Sequence, residues 1–266
     1  MTHDLLKLQL KLREARRPYA LATVVEVLGS SSAKTASKAI IDDKGKLLAG
    51  WVGGGCAQAM VSETALDCLQ TGETRMIEVD LTDEVFGAGM PCGGHMRVFV
   101  EPATPNPALW LMGHGRIVET LCAFAQPVGF DVIVNDTQAD PQSFTQALRV
   151  ITNDTRYQQL TPAAGDFVVI ASHHKGDYDS LTRALNSDAL YIALVASRRR
   201  AQLVLDRLAR EGFTAENLAR IRAPAGLDLG AKLPEEISLS ILAEMVLIRR
   251  GGDGGALSEK RVHDPD

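Results

Sequence analysis

Two different periodicities of apolar and polar positions run along this chain, and they change over at a proline-rich stretch. Before it, Leu5, Leu6, Leu8, Leu10 and Leu12 predict a short amphipathic helix ending before Pro18. Tyr19–Leu28 is rich in β-formers and reads as a strand. Lys38–Asp42 and Lys46–Trp51 read as two more, joined at Asp43-Lys44-Gly45 in a hairpin. Cys56–Leu69 carries Met60, Leu66 and Leu69 at helical spacing, with Gly72 just past its end. Arg75–Leu81 and Met96–Val100 complete a small α+β unit as further strands.

After the stretch, short apolar strands alternate with helical segments. Leu109–Met112 leads through Gly113-His114-Gly115 into a helix running to about Gln126, and Phe130–Asn135, Phe167–Ala171 and Leu190–Val195 are the following strands. That alternation predicts a mostly parallel sheet covered by helices. The final helix, Pro234–Arg250, has Pro234, Glu235 and Glu236 in its first turn and Arg249 and Arg250 in its last, all favourable to the helix dipole. Between the two patterns, Glu101-Pro102-Ala103-Thr104-Pro105-Asn106-Pro107 reads as a stiff linker, because three prolines do not fit a helix or a central strand. Gly251-Gly252-Asp253-Gly254-Gly255 opens a tail expected to be disordered. The expected organisation is an α/β chain: an α+β domain over residues 1–103, a Rossmann-like domain over 108–250, and a tail over 251–266.

Composition narrows the function classes. A chain of 266 residues, 45% hydrophobic and 23% charged, has the make-up of a globular protein. Its formal charge of −5 argues against nucleic acid or a membrane surface as the main partner. No apolar run reaches the roughly 18–20 residues needed to cross a bilayer, and the N-terminus lacks the pattern of a signal peptide, so stable membrane insertion is not expected and the cytoplasm is. The four cysteines, Cys56, Cys68, Cys92 and Cys122, form neither a disulfide scaffold nor a CxxC zinc pair.

Three loops hold candidate chemistry. Val52-Gly53-Gly54-Gly55-Cys56 places a thiol at the start of a helix, where the dipole favours thiolate; its plain alternative is a tight turn with Cys56 in the core. Gly87-Ala88-Gly89-Met90-Pro91-Cys92-Gly93-Gly94-His95 repeats that grammar, so Cys56 and Cys92 are candidates for binding a soft metal, carrying sulfur or forming a reversible disulfide. Cys68 and Cys122 lie within helical patterns and read as core. The strand-to-helix turn Gly113-His114-Gly115 resembles a dinucleotide-binding turn, with Val118 at the third glycine position and Asp136 where a ribose-binding acid stands. Ser172-His173-His174-Lys175-Gly176-Asp177 and Ser197-Arg198-Arg199-Arg200 follow later strands on the same sheet edge. Arginines at a helix start are unfavourable without an anion, which points to phosphate; His173 and His174 are also candidate metal ligands.

Together these residues resemble the XdhC/CoxI family of molybdenum-hydroxylase accessory proteins. The likeness rests on Gly50-Trp51-Val52-Gly53-Gly54-Gly55-Cys56, on Pro91-Cys92-Gly93-Gly94, on the Gly113–Gly115 turn, on His174-Lys175-Gly176-Asp177 with Asp179, and on Ser197-Arg198-Arg199. Its most specific block is Pro224-Ala225-Gly226-Leu227-Asp228-Leu229-Gly230-Ala231, continuing through Pro234-Glu235-Glu236-Ile237 to Ala243-Glu244. The chain departs from the family pattern at Gln58, Arg116, Val118 and in Ser30-Ser31-Ser32-Ala33.

The resemblance implies a factor that binds molybdenum cofactor, or its nucleotide form, assists its sulfuration and inserts it into an apo molybdenum hydroxylase, as a homodimer working with a cysteine desulfurase. It places metal or sulfur at Cys56 and Cys92, supported by Gly53, Gly54, Gly55 and Gly93. Cofactor phosphate, or an adenine or cytidine nucleotide with magnesium, falls to Gly113, His114, Gly115, Asp136, His173, Ser197 and Arg198. Two other readings remain: an NAD(P)-dependent oxidoreductase built on the Rossmann-like half, and a Cu(I) or sulfur chaperone for a carbon monoxide dehydrogenase-type centre.

Overall fold

The computed structural model describes residues 2–29, 32–80, 94–172 and 176–259, in two compact units, Met1–Pro105 and Asn106–Asp266. In the first, helix α1 (Thr2–Glu14) precedes strands β1 (Tyr19–Leu28), β2 (Lys38–Asp42) and β3 (Leu47–Gly50). Helix α2 (Gly55–Thr71) and strands β4 (Arg75–Asp80) and β5 (His95–Ala103) follow. The strands form one antiparallel sheet in the order β3-β2-β1-β5-β4.

Alternation along β1 sorts its side chains between two faces. Ala20, Ala22 and Val24 join Ala39, Ile41, Val98 and Val100 beneath α2, which presents Ala57, Val61, Ala65 and Cys68 at helical spacing. Tyr19 and Leu21 face the other way, where Leu5 and Leu12 of α1 close over Ile40. The β2–β3 turn is tied by Asp42, whose carboxylate accepts from the amides of Lys44 and Lys46 at 3.0 and 2.8 Å. Gly72 caps α2 in the left-handed conformation, its amide donating to the Cys68 carbonyl.

One expectation fails here. Glu101, Pro102 and Ala103 are the end of β5 rather than linker, with Pro102 opposite Ala20. Strand β4 stops opposite Val100, so Pro102 has a neighbouring strand on one side only, where a residue lacking N–H is tolerated.

The second unit carries β6 (Ala108–Gly113), α3 (Arg116–Ala125), β7 (Asp131–Asn135), β8 (Arg149–Ile151) and β9 (Phe167–Ala171). It continues with α4 (Asp177–Leu185), β10 (Tyr191–Leu194), α5 (Arg198–Arg210), α6 (Ala215–Ala219), β11 (Ile221–Arg222) and α7 (Pro234–Arg250). Six strands form an all-parallel sheet in the order β11-β10-β9-β6-β7-β8. Leu109 and Leu111 pack with Val118, Leu121, Ile241 and Met245 under α3 and α7. Trp110 and Met112 pack on the opposite face with Leu181, Leu185 and Leu208 from α4 and α5.

The chain starts in the middle of the sheet, builds outward through β7 and β8, then returns to build β9, β10 and β11 on the other side. Strand order therefore reverses between β6 and β9, the place where doubly wound sheets open a crevice beyond their carboxyl ends. Strands β8 and β11 and helix α6 were not expected from the sequence. With three, two and five residues they are too short to show a period.

Candidate functional site

The carboxyl edge of the parallel sheet gathers most of the polar chemistry in the second unit. At the switch point β6 ends on Gly113, whose φ is 142°. A Cβ there would lie 2.3 Å from the Ala171 carbonyl oxygen, so only glycine lets β6 and β9 approach this closely. Gly115, with φ 89°, is the N-cap of α3 and offers no side-chain cap. Val118, at the third glycine position of a dinucleotide turn, is buried in the core. Helix and sheet here are spaced by a side chain rather than by close backbone contact.

The fold brings His114 and Asp136 together, with Nδ1 3.2 Å from Oδ2. Asp136, nearly buried after β7, also accepts from the Gln138 amide at 2.7 Å. Both residues line a cavity of about 300 Å³ shared with Asp154, Tyr157, Ser172 and Asp179.

Asp154 and Tyr157 were not singled out from the sequence. They sit in an irregular connection after β8, where no period marks them. Burial alone would raise the Asp154 pKa, but hydrogen bonds from the Gln159 and Gln158 amides and the Asn135 side chain outweigh it and hold the carboxyl below its ordinary value. Tyr157 holds a positive φ of 53°, and burial, then the charges of Asp136, Asp179 and Asp154, push its phenol pKa up. The phenol therefore stays protonated among acceptors.

A larger cavity, about 660 Å³, opens beyond β10. Its walls are the start of α5, with Ser197, Arg198 and Arg200, the Pro224–Ala231 segment, and the first turns of α7. Ser197 caps α5 by accepting from the Arg200 amide at 3.3 Å.

The anion expected beside the arginines is partly supplied from within. Arg200 pairs with the buried carboxylate of Asp177, which also accepts from the Ser172 hydroxyl at 2.5 Å. For Arg200 this corrects the inference of a bound phosphate. Arg198 is exposed and has no ion-pair partner among the described residues. The Pro224–Ala231 wall is anchored by Glu244 of α7, which is 7% exposed. Its carboxylate accepts from the Tyr191 hydroxyl at 2.5 Å, the Gly226 amide at 3.0 Å and the Arg222 guanidinium at 3.3 Å. The Leu227 amide donates to the Ser240 carbonyl at 3.1 Å.

In the first unit, Cys56 is exposed in the opening turn of α2. Gly53 has φ 125°, while space is open above Gly54 and Gly55, so that turn presents bare backbone beside the thiol. Cys68 and Cys122 are fully buried, as their helical spacing predicts. Burial raises both thiol pKa values, that of Cys122 to about 11. Cys92, Gly93 and His173 lie outside the described residues. Among the described residues no group of three or more His, Cys, Asp or Glu side chains is arranged to hold a metal ion, and no helix is long and apolar enough to cross a membrane.

Residues 109–245, just over half of the chain, match the model of the XdhC Rossmann domain, and residues 12–80 match that of the XdhC and CoxI family. The chain is similar to the uncharacterized protein YqeB of Escherichia coli strain K12, 31% identical over 93% of this chain and 46% of that one. It is also similar to a probable xanthine dehydrogenase subunit of Bacillus subtilis strain 168, 29% identical over 58% of this chain and 46% of that one. A third relative is the molybdenum cofactor insertion chaperone PaoD of Escherichia coli strain K12, 23% identical over 86% of this chain and 83% of that one. The chain thus spans about half the length of the first two. With its antiparallel unit, its Rossmann sheet and both family models matched in order along the sequence, the chain belongs to the XdhC and CoxI family.

Proposed function

We propose that this protein is an accessory factor for a molybdenum hydroxylase, one that holds molybdenum cofactor and hands it to the apoenzyme. Family membership supports the reading, as do the names of two relatives, a molybdenum cofactor insertion chaperone and a probable xanthine dehydrogenase subunit. The observation that carries it is the solvent-exposed Cys56 on a bare glycine turn, in a family chain whose Rossmann sheet opens two cavities at its carboxyl edge. An exposed thiol at a helix start is suited to contact a soft metal or its terminal sulfur. The sheet edge supplies hydrogen bonds for the organic part of the cofactor. In this reading Cys92 is a second thiol, a cysteine desulfurase supplies sulfur, and the working unit is a homodimer.

The test is reconstitution of an apo-hydroxylase with purified cofactor in the presence of wild-type protein or Cys56→Ser. Activation by wild type and its loss with Cys56→Ser are expected. Equal activation by the two proteins removes the thiol from the mechanism, and no activation by wild type overturns the reading.

A further inference from the structure

Helix α5 has one face in the core and one that the fold leaves without a neighbour. On the inner side Ala201 and Leu208 are buried, with Val204 and Leu205 packed against the core beside them. On the outer side Arg199, Gln202, Leu203 and Asp206 stand three and four residues apart, so they lie along one exposed stripe. Leu203 is 61% exposed at its centre. Among the described residues neither Arg199 nor Asp206 forms an ion pair. The Asp206 carboxylate accepts only from the uncharged Gln202 side chain, at 2.8 Å. Arg199 stands in the first turn, where the helix dipole disfavours a cation. Its neighbour Arg200 is neutralised by Asp177, and Arg199 is not.

The order of cation, leucine and carboxylate along the stripe selects what can cover it. An acidic partner would meet Arg199 but also the repulsion of Asp206, and a purely apolar one would strip water from both charges. A second α5, running antiparallel across a two-fold axis at Leu203, avoids both costs. In such a pair, each residue after Leu203 faces the one equally far before it in the other copy. Asp206 then faces the position of Arg200, one residue and about 1.5 Å of helix rise from Arg199. With Arg200 held by Asp177, Arg199 is the cation left for Asp206. The axis makes this contact twice, one on each side of the paired leucines, as a self-complementary interface requires.

We propose that the outer face of α5 pairs with the same face of a second copy of this chain, Leu203 against Leu203 and Arg199 against Asp206. This gives the homodimer of the proposed function a surface, and rests on that reading for its purpose. Because α5 opens at the wall of the 660 Å³ cavity, the two cavities stand at opposite ends of the helix pair. A leucine contact flanked by exposed ion pairs makes the association weak and sensitive to salt.

The test is sedimentation of the purified full chain over a range of protein and salt concentrations, with each variant's folding checked by circular dichroism. Wild type should form a dimer that weakens as salt is raised. Arg199→Asp or Asp206→Arg alone should weaken it by on the order of tenfold, as two attractions become two repulsions. Leu203→Ser should also weaken it, without any change of charge. Arg199→Asp and Asp206→Arg together should restore it, because the pairs form again with charges exchanged. Glu216→Arg makes the same change of charge as Asp206→Arg at an exposed position on α6, and should leave association as in wild type.

A wild type that stays monomeric, a dimer indifferent to the single substitutions, or a double exchange that fails to restore association overturns the assignment. These failures are separable from failure of the accessory role. A monomer that still activates the hydroxylase keeps its proposed function and loses this interface. A dimer that obeys the charge exchange but activates nothing keeps the interface and loses the function.

Discussion

Replacing Gly113 by alanine should destabilise the Rossmann unit through backbone contact alone. The added Cβ would meet the Ala171 carbonyl oxygen at 2.3 Å and its carbon at 2.7 Å, both rigid backbone atoms of β9. Relief requires β6 and β9 to part by most of an ångström at the centre of a six-stranded sheet. Overpacking of this kind costs about 1–3 kcal/mol, and holding an alanine at φ 142° adds about 1–2 kcal/mol. A total near 3 kcal/mol lowers Tm by roughly 6–12 °C for a unit of this size.

Gly54→Ala is the matched control. Gly54 has φ −69° and nothing within 4 Å of where a methyl group would stand; as the N-cap of α2, where alanine is less favourable than glycine, its replacement should cost only about 0.5–1 kcal/mol. Calorimetry and urea unfolding followed by circular dichroism read both variants. Should Gly113→Ala melt together with the control, β6 and β9 do not approach at the switch point as described, and the steric account of that turn is wrong.

Three other outcomes follow from the same structure. In a Cys92→Ser background, a thiol reagent should modify Cys56 quickly under native conditions and reach Cys68 and Cys122 only after denaturation; rapid modification of three thiols in the folded protein would contradict the burial of the latter two. The Cys122 thiol is held protonated by burial, with a pKa raised from 9.0 to about 11. Its contribution to stability is therefore complete below pH 9 and lost as pH rises toward 11. Cys122→Ala should show a shallower loss of stability across that interval, measured by urea midpoints at each pH, and a parallel loss in both proteins would refute the assignment. Tyr191→Phe removes the 2.5 Å donor to the buried Glu244 carboxylate, which keeps Arg222 and the Gly226 amide. A cost toward the lower end of about 1–3 kcal/mol is expected by urea unfolding, and an unchanged midpoint would show that the bond carries no weight.

Where the chain has strong period or punctuation, the sequence was a good guide. The terminal helix runs over Pro234–Arg250 as read, because Pro234 and the acidic residues open it and Gly251 turns left-handed at its end. Alternating strands and helices in the second half sufficed for a parallel sheet, since a helix between consecutive strands carries the chain back to the end where the previous strand began. Pro102 misled because a proline's effect depends on which neighbour is missing, and where β4 ends is a tertiary fact. The arginine run misled in a similar way: an anion was rightly demanded near it, but Asp177, on another element, provides one for Arg200. Asp154 and Tyr157 carried no signal, since their roles come from the fold bringing an irregular loop beside β7 and β9.

The clamp on the Pro224–Ala231 segment bears on how a guest would enter. One carboxylate of α7 holds the phenol of β10, the guanidinium of β11 and a loop amide, so this wall stands assembled before any guest arrives. A molecule docking there spends little of its binding free energy on immobilising the loop, and more of it remains for discrimination. Selectivity at such a rim resembles a rigid gauge more than a closing hand, and size as well as charge decides what passes.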